Sequence, residues 1–144
     1  MSIIQSIRLA LLFVGVSALG LQAADTSSPA SAFSGLEALQ PDTASSDLSS
    51  YAGHATLIVI FADSLDDPDF TAQLDILRPH AEYLAARDVV LLTDTSPSAN
   101  GPLRQALRPR GFSLLLINSV GTLAQRRGTV TDSQRLIRQI SQMP

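Results

Sequence analysis

The chain has 144 residues, of which 45% are hydrophobic and 16% charged, with a net charge of -3, so it carries enough apolar material for one core and one domain. It contains no Cys, which excludes disulfides, thiol catalysis and thiolate metal sites, and no Lys, which excludes Schiff-base chemistry and a phosphate-loop lysine. Aromatic residues are few and Trp is absent, so the core must be aliphatic.

Residues 1–23 read as a signal peptide. Arg8 closes a short positive region, residues 9–21 are apolar, and Gln22, Ala23 and Ala24 offer a small-residue cleavage site. The apolar run is shorter than the roughly 20 residues a membrane span needs. The expectation is therefore an exported protein, periplasmic or secreted, with no stable membrane anchor once the signal is cleaved. Residues 24–50 are rich in Ser, Ala, Thr, Asp and Pro, a composition that cannot offset the entropy of ordering it, and they read as a flexible leader. Within it Phe33, Leu36 and Leu39 recur at three-residue spacing and suggest one amphipathic turn, while Leu48 and Tyr51 are placed to dock on the domain edge.

Residues 51–144 form the predicted domain. Residues 56–62 (TLIVIFA) are continuously apolar and β-branched, as in a parallel strand covered on both faces. Asp67 and Pro68 then read as an N-cap followed by a proline at the first helical position. Phe70, Leu74, Leu77, Ala81 and Leu84 mark one face of a helix to about residue 86, and Pro79 must break or kink it near Arg78. A second strand at 89–93 (VVLLT) and a polar loop lead to a short helix at 102–107 that buries Leu103 and Leu107. A third strand at 112–117 (FSLLLI) turns through 118–121 (NSVG) into an edge strand at 122–127. Thr131 and Gln134 read as a capping box opening a last helix whose apolar stripe is Leu136, Ile137, Ile140 and Met143.

The order β-α-β-α-β-β-α defines an α/β fold of thioredoxin-like type, with a four-stranded mixed sheet flanked by helices. Several residues in that order carry a family likeness: Phe61-Ala62 ending the first strand, Arg87-Asp88 before Val89-Val90, Leu103-Arg104 in the short helix, Phe112 opening Leu115-Leu116-Ile117, Gly121 in the hairpin, and Ile140 to Met143-Pro144 at the end. In these the chain resembles the DUF4174 family of uncharacterised, exported bacterial proteins over roughly residues 48–144. The resemblance implies a thioredoxin or peroxiredoxin relative without its redox cysteines. It departs from the family in having no Arg between Tyr51 and the first strand and no basic tail after Met143-Pro144.

The chemistry is sparse. Residues 64–68 stand where a redox relative carries its cysteine pair, and no Ser or Asp replaces a thiolate nucleophile. No residue is assigned a catalytic role. Asp63, Asp66, Asp67 and Asp69 are candidate ligand residues that could also bind a hard cation, although their spacing fits no EF-hand loop and helix capping accounts for them as well. His54, Asp63 and Ser64 permit a triad on paper, without the flanking glycines of a nucleophile elbow.

Charge divides along the chain. Residues 25–100 hold twelve acidic residues against Arg78 and Arg87, whereas 101–144 hold seven Arg against Asp132. Arg104 and Arg108, at i and i+4, are candidate contacts of a basic face for an anion or acidic partner, with Arg135 and Arg138 on the last helix. Interleaved aromatics are missing, so nucleic acid is not expected. The function expected is a non-catalytic, exported binding module for a protein or small-molecule partner, with no cofactor and no metal. The alternative is an enzyme or metal-binding protein that uses the Asp-rich loop.

Overall fold

The computed structural model describes residues 32–40 and 48–144. The predicted signal peptide lies outside them, as do residues 24–31 and 41–47 of the predicted leader. The chain folds as an α/β domain with four strands: β1 (Thr56–Phe61), β2 (Val89–Asp94), β3 (Ser113–Ile117) and β4 (Leu123–Arg127). Their spatial order is β2-β1-β3-β4. β1 runs parallel to β2 and antiparallel to β3, so the sheet is mixed, as the order of elements requires.

Every residue of β1 is buried, because this central strand has an apolar layer on each side. Ile58 and Ile60 face one layer together with Leu91, Leu114 and Leu116, while Leu57, Val59 and Phe61 face the other with Leu92 and Leu115. The first layer is covered by three helices: α1 (Pro68–Leu77), α2 (Ala81–Ala85), and the C-terminal helix, which is numbered α4 (Ser133–Ser141). The second is covered by α3 (Pro102–Leu107) and by a turn at Leu48–Tyr51. Among the described residues no helix is long and apolar enough to cross a membrane.

Pro79 breaks the long apolar helix where its ring forbids continuation, and a tight turn at Arg78–His80 separates α1 from α2. The β3-β4 hairpin closes with Gly121 at φ 84° and its amide donating to Asn118 O at 2.9 Å. A register shift beside Leu116 leaves Ala124 as the extra residue of a bulge in the exposed edge strand.

Two expectations are corrected. The residues assigned to a flexible leader include part of the core: Leu36 and Leu39 are 0% and 1% exposed, Phe33 packs edge-to-face on Phe70 at 6.2 Å, and the segment closes in a short turn at Glu37–Leu39. Its apolar triplet gains more by burial against α1 and α2 than its polar neighbours lose by ordering. Arg78 fastens it, donating to Ala32 O at 2.9 Å and to Ser34 O while also pairing with Asp75. The last helix is capped by Asp132, whose carboxylate accepts from Arg135 N at 2.9 Å, and not by Thr131. Thr131 is committed elsewhere. Its amide donates to Gln73 Oε1 at 2.7 Å and its carbonyl accepts from Gln73 Nε2 at 3.0 Å, a buried reciprocal pair tying α1 to the start of α4.

Candidate functional site

The parallel strands β1 and β2 point their C-terminal ends at the place where open α/β sheets put their chemistry. Asp67 stands there as the N-cap of α1, its Oδ1 accepting from Asp69 N at 2.9 Å and from Phe70 N at 3.2 Å. The carboxylate thus satisfies two of the orphan amides every helix start exposes, and Pro68 follows it without sacrificing a donor. Asp63, Asp66 and Asp69 are exposed around this cap. Among the described residues no group of three or more His, Cys, Asp or Glu is placed to hold a metal ion, so the four carboxylates do not converge. The paper triad is also pulled apart: His54 precedes β1 whereas Asp63 and Ser64 follow it, about 20 Å away at the usual rise of a strand.

A different residue occupies the centre of this end of the sheet. Arg104 reaches from α3 to the ends of both parallel strands, donating from Nη2 to Ala62 O at 2.6 Å and to Asp94 O at 3.1 Å, and from Nε to Asp94 Oδ1 at 3.0 Å. Its guanidinium carbon lies 5.4 Å from the Phe61 ring centroid, within reach of the ring's negative face. Only 8% of the side chain is exposed, and 16% of Asp94. The same Asp94 oxygen accepts from Ser96 N at 3.0 Å, which fixes the loop leaving β2. Asp94 O also accepts from Ala62 N at 3.0 Å, so one cation reinforces the end of the β1-β2 pairing, and the charge is balanced inside the same cluster.

This revises the expected basic face. Arg104 is a buried clamp and Arg108 an exposed end-cap, so the i and i+4 pair is not a pair of equivalent surface cations. Arg135 and Arg138 belong to α4, which packs on the opposite layer of the sheet, and they do not share a face with α3. Arg126 and Arg127 diverge as their strand positions demand: Arg126 lies opposite Leu115 and donates to Leu107 O at 2.6 Å, covering the end of α3, while Arg127 lies opposite Leu114. What Arg104 and Arg108 do share is one open groove of about 560 Å³, completed by Asn100 and Gln105.

At the other end of the sheet a cleft of about 630 Å³ lies among His54, Arg87, Asp88, Ser119 and Ser141. Arg87 is stacked on Tyr83 at 3.5 Å from the ring centroid and donates to Tyr83 O at 3.2 Å, so it is spent on its own helix.

Sequence reasoning missed Asp94 as the partner of Arg104, Gln73 as a buried crosslink and Arg78 as the fastener of the N-terminal segment. Gln73 had a readable signal, since it lies three residues after Phe70 on the buried side of α1. Asp94 had none. Neither a scan of protein-family models nor a search of curated proteins returns a match to this chain.

Proposed function

We propose that this chain is a non-catalytic, exported, thioredoxin-like binding module, a relative of the DUF4174 proteins it resembles, which holds a protein or small-molecule partner outside the cytoplasm after its signal peptide is removed. One observation carries the reading: the crevice at the ends of β1 and β2, where this class of fold does its chemistry, is filled by the chain's own Arg104-Asp94 clamp. Asp67 supports it from the adjacent position, because both of its bonds go to the helix it starts. A module of this kind works through a surface, and the polar groove beside α3 is the concave surface nearest the clamp.

The test is retention without conversion. The mature chain, immobilised and exposed to periplasmic extract, is expected to hold a partner in stoichiometric ratio and to release it chemically unchanged, as read by mass spectrometry. Conversion of the retained compound, abolished in the double variant Asp63→Asn with Asp66→Asn, would overturn the reading in favour of an enzyme using that loop. Export is checked separately by N-terminal sequencing of the protein recovered from the periplasm, with a start near Asp25 expected.

A further inference from the structure

The groove over α3 is built almost wholly from hydrogen-bond donors. Arg104 forms its floor, with Nε and Nη2 engaged by Asp94 and Ala62, while Nη1 has no acceptor among the described residues. Arg108 stands on the rim. It ends α3 in the left-handed conformation, φ 45° and ψ 60°, and no carboxylate among the described residues lies within ion-pair distance of it. A cation at a helix end ordinarily settles on the terminal carbonyls. Here that place is taken by Arg126, whose Nη2 donates to Leu107 O at 2.6 Å and whose Nη1 points at Arg108 O at 3.5 Å. Arg108 is thereby left free to face outward. Gln105 Nε2 braces the other rim by donating to Asn100 O at 2.9 Å.

The charge of the surroundings adds to this. Asp94 is already paired with Arg104, Arg126 stands beside Arg108 at the end of α3, and among the described residues no carboxylate pairs with either Arg108 or Arg126. All four lining residues are polar and the groove is open, so it has no apolar wall to bury a compact small molecule, and a polar chain laid across it keeps its flanks in water.

We propose that this groove docks an acidic, extended peptide segment of a partner protein, with one Glu or Asp carboxylate seated between Nη1 of Arg104 and the guanidinium of Arg108. The proposal rests on the binding-module reading and names the class of partner. Two guanidiniums present fork geometry to a carboxylate, and the bonds are charge-assisted. The amides of Asn100 and Gln105 supply donors and acceptors for the peptide backbone on either side.

Calorimetric titration of the mature chain with N-acetylated hexaglutamate tests it, with inorganic phosphate in a parallel arm. The wild type is expected to bind the peptide and to lose affinity as salt rises from about 0.05 M to 0.5 M. Arg108→Gly is the decisive variant, because glycine suits the left-handed position and keeps the fold while removing the guanidinium. It is expected to weaken peptide binding about tenfold or more, with the melting midpoint unchanged or raised. Arg135→Gly, on the opposite layer, is expected to leave affinity within about twofold of wild type when both proteins remain folded. No peptide binding by the wild type, equal losses in the two variants, or phosphate binding as tightly as the peptide would each overturn the proposal, the last in favour of a small-anion site. Failure here leaves the module reading standing, since that reading falls only if a retained partner is converted.

Discussion

With Arg104 truncated to Ala, Asp94 stays in place, largely buried, without its charged partner, and Ala62 O loses its donor. Breaking such a pair by removing one member typically costs about 3 kcal/mol, and urea denaturation should find a loss of that size for Arg104→Ala. The Gln73-Thr131 pair is neutral, but both its members are buried, and Gln73→Ala strands an amide and a carbonyl at once. A loss of about 2 kcal/mol is expected by the same measurement, larger than the roughly 1 kcal/mol that Asp67→Ala should cost through its half-buried N-cap. The reverse ranking would show that the stranded amide and carbonyl of Thr131 find water in the variant. The readable residues were those whose partners lie within a few positions, such as Asp67 with Asp69 and Phe70. Gln73 and Thr131 meet across 58 residues and Arg104 and Ala62 across 42, so no local spacing announces them.

At the scale of elements, periodicity and proline served well. The strands, the break at Pro79 and the short helix from Pro102 all lie within a residue or two of where the apolar pattern put them, because burial on a sheet or along one helix face imposes the pattern. The segment at residues 32–40 was legible only in part: the spacing of Phe33, Leu36 and Leu39 suggested one amphipathic turn, which is present, but three apolar residues in a Ser-rich stretch carry too little signal to announce that the turn enters the core. Leu39 is nevertheless in the core, and Leu39→Ala should cost about 3 kcal/mol in chemical denaturation. Gly35 gives a sharper test of the same segment. Its φ is +82° and a Cβ there would approach Arg78 Cγ to 2.9 Å, so Gly35→Ala should cost roughly 1–2 kcal/mol. Wild-type stability in that variant would mean the segment is dispensable.

As a whole, the described residues form a sheet between two apolar layers, with the Asp-rich loop at one end serving as a helix start. Thermal melting curves with excess Ca²⁺ and with chelator are accordingly expected to coincide, whereas a midpoint raised by Ca²⁺ would mean the loop gathers its carboxylates around the ion. The candidate site was half legible. Its residue types and the charge division could be read from the sequence, but the packing of α3 and α4 on opposite layers, which separates the arginines, belongs to the topology.

The N-terminal segment carries a kinetic consequence. Its carbonyls reach Arg78 across 44 and 46 residues, and Leu39 packs in the layer of α1 whereas Leu48 packs in the layer of α3. Closure of loops that long follows assembly of the local β-α-β units, so this segment docks late in folding and detaches early under denaturant. Substitutions at Leu36 and Leu39 should therefore accelerate unfolding and leave the folding rate almost untouched. The amides of this segment should also exchange with solvent ahead of those of β1 and β3.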